Sequence, residues 1–326
     1  MTRLGLVGKW LAAVAVAGLV LTTSRAEAQT YPANKITLIV AFAPGGVADT
    51  LGRFIAQGLS ERLRQNVVVE NRGGAGGNIG AAAVAHAAPD GYTLLVTTTA
   101  LAINETLRET KPFAASDLKA VAIAASSPET LITSPSNPTN NLADLIKAAK
   151  AKPITYGSAG VGSGSHIQAA YFFKFLAKVD ATHVPFQGGA PAMNATLGNQ
   201  IDVWATTLGG GAAAQIAAGK LKGLGVTSAK RTTVVPNVPT FAEQGFAGYD
   251  VASWVGVFAP AKTDPQIVAT LNAAINETIK SPSVEEKLKS IGFDPITGTP
   301  AQADALFKAE IAQWGKMVKA IGLTVK

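Results

Sequence analysis

Cysteine is missing from the chain altogether, which excludes disulfides, thiol nucleophiles and thiolate-held metals. Histidine is scarce. His86, His166 and His183 are the full set of 3, and they lack the H-E-x-x-H spacing of a catalytic metal site. Charged residues make up only 15% and aromatic residues 6% of the 326. Lys and Arg are scattered, without a dense run or interleaved aromatics, so a nucleic-acid groove is excluded despite a net charge of +7. Beyond the first residues no apolar run approaches the ~18 residues of a membrane span.

What the chain has instead is apolar bulk and glycine. Hydrophobic residues reach 48% and Gly numbers 33, a composition for tightly packed α/β layers with enough length for two domains. At the N-terminus Arg3 and Lys9 flank the start of an apolar stretch over 10–21, and Ala26-Glu27-Ala28 has the A-x-A form of a cleavage site. This pattern predicts an export signal over 1–28 cut after Ala28, a mature chain from Gln29, and a soluble protein.

The rhythm of the mature chain is strand, helix, strand. Residues 35–42 (KITLIVAF), 66–70 (NVVVE) and 92–97 (YTLLVT) read as strands. Helical patterns at 49–63 and 81–88 lie between them, and the first carries Leu51, Phe54, Ile55, Leu59 and Leu63 on one face. Such alternation implies a parallel sheet with right-handed crossovers. A Ser-, Pro- and Asn-rich stretch at 126–139 breaks the rhythm, and a second series follows. Its helices are expected at 142–150 and around 168–176, its strands at 154–157, 201–205 and 223–227. A strand at 254–259 and helices at 265–280 and 299–321 close the chain. Breaks near 128 and 249 suggest two lobes.

Several motifs tempt a catalytic reading. Gly74-Ala75-Gly76-Gly77-Asn78-Ile79 follows a strand, but Ile79 holds the place of the third glycine of a dinucleotide loop and no acid follows about 20 residues on. Ser163, Ser165 and His166 would suit a hydrolase, yet no serine sits in G-x-S-x-G. Two loops remain, 43–49 (APGGVAD) and 158–166 (SAGVGSGSH), each joining a strand to a helix. Bare backbone N–H groups at helix starts favour an anion. The first loop offers Gly45, Gly46, Ala48 and Asp49; the second offers Ser158, Gly162, Gly164, Ser165 and His166. Phe42, Thr98 and Thr207 stand at or just past strand ends, where open parallel sheets hold ligands. Asp49 is expected to fasten its own loop by accepting from free N–H groups. His183, before Val184-Pro185, reads as a structural hydrogen-bonding residue.

At this level the sequence resembles the Bug-type solute-binding proteins of tripartite tricarboxylate transporters. The likeness rests on YPANKITLIVAFAPGGVAD, VVVENRGGAGGNIGAAAVAHAAPDGYTLL, YGSAGVGSGSH, HVPFQGGAPA and VTSAKRTTVVPNVPTFAEQG. It implies a type II periplasmic-binding-protein fold, a Venus flytrap of two parallel-rich α/β domains. The domains would be 29–128 with 249–326, and 129–248, around a ligand cleft. It also implies a monomer without cofactor or catalysis, which carries a small carboxylate to the large and small membrane subunits of a permease. The ligand would be an aliphatic di- or tricarboxylate or an aromatic acid. A sensor that presents its ligand to a receptor kinase would use the same pocket. One departure stands out. Ala205-Thr206-Thr207 replaces the frequent Phe-Asp-Asn, so an acid is lost and a ring becomes a methyl, with Trp204 or a larger ligand to fill the space.

Overall fold

Ile36–Val40 (β1) is apolar except at Thr37 and β-branched except at Leu38, and its burial on both faces is what a central parallel strand requires. The computed structural model describes residues 31–325, and everything from Asn34 onward belongs to one unit. β1 leads to helix α1 (Val47–Leu63), strand β2 (Val67–Asn71), helix α2 (Asn78–Ala85), strand β3 (Thr93–Thr98) and helix α3 (Ala100–Leu107). β1 pairs in parallel with both β2 and β3. Leu51, Ile55 and Leu59 of α1 are wholly buried, while Phe54 is half-buried beneath the Lys287 ammonium, 5.0 Å from its ring centre. Gly52 lets α1 lie close on the sheet, since a Cβ there would stand 3.0 Å from Val40 Cγ2.

The stretch read as a break is in part a long strand, β4 (Leu118–Thr133). Pro128 misled the reading, because proline cannot donate to a ladder and usually marks an edge or an interruption. Here it sits where the strand changes partners. β4 pairs antiparallel with β9 (Ala252–Pro260) from Leu118 to Pro128, and from Glu129 onward with β7 (Val203–Thr207). The Pro128 carbonyl accepts from Leu208 N–H at 2.8 Å, so its own group is satisfied at the crossing.

Beyond β4 come helix α4 (Leu142–Ala151), strand β5 (Ile154–Ser158), helix α5 (Gly164–Ala170) and strand β6 (Ala181–Pro185). Helix α6 (Gly189–Leu197), then β7, helix α7 (Ala212–Ala217) and strand β8 (Lys222–Val226) follow. α5 runs on into a π-helical turn over Tyr171–Leu176. β5 pairs in parallel with β6 and β7, and β8 joins β4. After β9, which also pairs with β3, come α8 (Pro265–Lys280), α9 (Pro282–Ser290), the short β10 (Asp294–Pro295) and α10 (Pro300–Ile321). The strands connect in the order β2-β1-β3-β9-β4-β7-β5-β6. α10 buries Trp314, Met317, Val318 and Ile321 in one core with Leu107, Phe172 and Phe241. The expected export signal lies outside the described residues. Among those described, no helix is long and apolar enough to cross a membrane.

Candidate functional site

Parallel pairing brings the C-terminal ends of β1 and β3 to one edge and those of β5 and β7 to another, and a cavity forms between the loops that leave them. Phe42, Gly46, Val47 and Ala48 come from the loop after β1, and Thr98 from the end of β3. Ala159, Ser163, Gly164 and Ser165 follow β5, Thr206 and Thr207 end β7, and Gly189 and Ser253 complete the wall. The cavity volume is about 40 Å³, room for about three or four waters. Seven of the residues predicted from sequence therefore meet here: Phe42, Gly46, Ala48, Thr98, Gly164, Ser165 and Thr207. Val47, Ala159, Ser163, Gly189, Thr206 and Ser253 were not among those predicted.

Among the described residues no charged side chain lines this cavity. Its polarity comes from hydroxyls and from helix starts. α1 opens at Val47, α5 at Gly164 and α6 at Gly189, and Thr98 accepts the first N–H of α3 at 3.3 Å. The first N–H groups of a helix have no intrahelical acceptor, and the macrodipole adds partial positive charge there. Such a wall attracts an anion with neutral, fixed donors. Ser165 Oγ accepts from Ala159 N–H at 3.2 Å, and Ser163 gives its proton to the Gly160 carbonyl at 2.7 Å. With that proton committed, Ser165 is the donor in its 3.1 Å contact with Ser163 Oγ, a bond its proton leaves to reach a ligand.

The other five predicted residues stand off the wall, each for a local reason. Asp49 is buried in its own network. Its Oδ2 accepts from Gly45 N–H at 2.9 Å and Arg53 Nε at 3.0 Å, and its Oδ1 from Arg53 Nη2 and Asn71 Nδ2, both at 2.9 Å. Burial pushes this carboxyl up, but the bonds from Arg53, Gly45 and Asn71 outweigh it and hold it below the usual range. Gly45 thus spends its N–H on Asp49. Ser158 is fully buried and bound to His183 Nε2 at 2.7 Å, the structural role expected of His183. Gly162 gives its N–H to His166 Nδ1 at 3.2 Å. The His166 ring stacks on His183 at 3.9 Å and lines a different cavity, with Tyr156 and Phe173. Burial, and then the neighbouring His183, push His166 down to about 3, and burial alone takes His183 to about 4. Both rings are neutral near pH 7 and lend no cation to an anion site.

The Asp49 network carries a prediction. Asp49→Asn replaces an acceptor by a donor facing Arg53 or Gly45, and an orphaned buried donor costs about 1–3 kcal/mol. Urea unfolding should register that loss, with Asp49→Ala losing more. A variant as stable as the natural protein would rule out the fastening role.

The hydrolase pairing does not form. The bonds of Ser165 run to Ala159 and Ser163, and those of His166 to Gly162. Trp204 does not line the cavity; it packs with Ile132, Ala192, Ala212 and Leu221, its ring edge behind Gly189 and Thr206. An acid does stand beside Ala205-Thr206-Thr207, on the neighbouring strand. Glu129 pairs with Thr207 in the β4–β7 ladder and is wholly buried, and sequence reasoning placed it in the stretch that breaks the rhythm. The signal was a single acid inside the run LKAVAIAASSPETLIT. The glycine turn at 74–77 borders a second cavity of about 330 Å³, which shares Phe42 and Ala159 with the first and includes Arg108. Burial pushes the Arg108 guanidinium down.

A family model described as "Tripartite tricarboxylate transporter family receptor" matches residues 51–323. BugT of Bordetella pertussis is 34% identical over 332 residues, which cover 100% of this chain and 99% of BugT. A protein of R. palustris solved with adipate is 35% identical with a TM-score of 0.86, over 90% of this chain and 99% of that one. MatC from Rhodopseudomonas palustris, solved with bound malate, is 32% identical with a TM-score of 0.82, over 88% and 100%. Likeness of this extent covers the strands, the loops and the cavity between them, and the chain belongs to the TctC family of tripartite tricarboxylate transporter receptors.

Proposed function

We propose that this receptor captures a small carboxylate in the periplasm, an aliphatic di- or tricarboxylate or an aromatic acid, and hands it unchanged to the two membrane subunits of a tripartite permease. The observation that carries this reading is the uncharged cavity lined by hydroxyls and helix starts. Neutral donors compensate a carboxylate without trapping it in an ion pair. The adipate and malate of the two solved relatives are ligands of that class. The reading includes an export signal removed after Ala28.

The cavity, at about 40 Å³, is smaller than a dicarboxylate, so capture requires the loops to part and close again. In our reading residues 29–128 with 249–326 form one lobe and 129–248 the other, hinged near 128 and 249. The change of strand partners at Pro128 and Glu129 supports that division. A thermal-shift series of mono-, di-, tri- and aromatic carboxylates tests the reading, with the matching neutral amides as controls. A true ligand at 100 times its dissociation constant adds about 2.7 kcal/mol of stability. No shift with any carboxylate, or equal shifts with the amides, sinks it.

Ser165 should donate directly to the ligand. A hydrogen bond to a charged group contributes about 1.5–3 kcal/mol, so Ser165→Ala should bind about tenfold to a hundredfold more weakly. The change also orphans the Ala159 N–H, so calorimetric titration must be done on folded protein. Undiminished affinity would remove Ser165 from the site.

A further inference from the structure

We propose that Glu129 is the proton-accepting group of this site: it takes up one proton as a carboxylate enters, and as a neutral acid it positions Ser253 in the cavity wall. The proposal rests on the carboxylate reading above and adds to it the charge balance of binding. Glu129 is wholly buried and lies just behind the wall. Gly164, Thr207 and Ser253, which do line the cavity, stand around it. A Cβ on Gly164 would come within 2.9 Å of Glu129 Oε1, so only a glycine separates the carboxyl from the start of α5.

The hydroxyl bonds around it have a direction. Ser253 Oγ donates to Glu129 Oε1, which commits the only proton of Ser253. Thr99 Oγ1, 2.9 Å from Ser253 Oγ, therefore donates to it. Apart from the pull of the Thr207 hydroxyl, Glu129 Oε2 has no hydrogen-bond partner among the described residues, which leaves an oxygen able to carry a proton. Ser253, held between Thr99 and Glu129, lines the cavity.

Few titratable groups face the carboxyl. Thr207 faces it from β7, Ser253 from β9, Gly164 from α5, and Thr227, just past β8, takes the Glu129 N–H on its hydroxyl at 2.9 Å. Tyr249 acts on it from the segment before β9, and burial pushes that phenol well above its ordinary range, so it stays neutral. His166, two residues past Gly164, is held at about 3. Among the described residues no Lys or Arg acts on Glu129, which burial pushes up to about 7 against the weaker pull of the Ser253 and Thr207 hydroxyls. A ligand carboxylate adds a second negative charge a few ångströms away in a poorly solvated place, and like charges disfavour the ionised form. With no cation to offset the pair, the Glu129 carboxylate binds a proton from solvent at Oε2 as the anion enters.

The test is calorimetric titration of the mature protein with adipate, malate and benzoate. Runs in HEPES and in Tris count protons through the different ionisation heats of the two buffers. Uptake should be about one proton per ligand at pH 8, and affinity should be about tenfold weaker at pH 8 than at pH 6. In Glu129→Gln the uptake should vanish and the affinity should stop varying across that range. Binding without proton uptake, or uptake that persists in Glu129→Gln, overturns the proposal and leaves the carboxylate reading standing. Failure of all three acids to bind overturns both. If the variant does not fold, the buffer comparison on the natural protein still decides.

Discussion

Glu129→Gln is expected to be more stable than the natural protein at pH 8, by about 3 kcal/mol, and equal to it at pH 4. The folded protein holds the Glu129 proton up to about pH 7, against an ordinary value of 4.5, so between those values the folded state binds more protons than the unfolded one. Stability from this group is complete below about pH 4.5, falls as the pH rises to about 7, and is fully lost above that. At about 1.4 kcal/mol per pH unit the loss reaches about 3 kcal/mol. Gln keeps an acceptor for Ser253 and never ionises, so it escapes the loss. Urea unfolding of both proteins at pH 4, 6 and 8 measures the difference. A gap that stays constant with pH would mean that Glu129 titrates normally in the folded protein.

Gly76→Ala should cost about a hundredfold in ligand affinity while leaving a folded protein. Gly76 has φ +65, a conformation that only glycine adopts freely, and a Cβ there would press on the Val161 carbonyl. Gly76 lies in the turn after β2 and Val161 in the loop after β5, and both border the cavity of about 330 Å³ beside the site. Forcing these loops apart by about 3 kcal/mol lowers the closed population, and with it the apparent affinity, by about two decades. Gly211→Ala is the control, since its φ is +103 but nothing lies within 4 Å of the new Cβ. It carries at least as much backbone strain without the contact and should bind normally. Equal affinity losses in the two variants would show that the loops need not meet.

The site was half legible in the sequence, and the division follows the physics. The loops after β1 and β5 declare themselves through glycine, serine and the apolar runs before them, all within ten residues of chain. Phe42, Gly46, Gly164 and Ser165 follow from that local pattern. Asp49 and His166 were legible as polar residues in the right loops, but their directions were not. Asp49 turns to Arg53 and Asn71, and His166 turns under the loop to stack on His183. Side-chain direction depends on partners from other strands. β6, half-exposed at the sheet's end, and the short helices α3, α6, α7 and α9 were missed because their periodicity is weak over so few residues.

The chain by itself determined the alternation of strands and helices, the glycine turns at the strand ends, and the lack of cysteine that bars thiol chemistry. These are properties of neighbours along the backbone: propensity, periodicity and turn sterics. Only the tertiary structure decided which groups face the cavity. Ser253 reaches Glu129 across 124 positions of sequence, because β4 exchanges partners at Pro128 and the β4–β9 and β4–β7 ladders bring those strands together. An acid that reads as part of a break in the strand–helix rhythm becomes a buried, proton-holding group through strand register, which no local pattern of residues encodes.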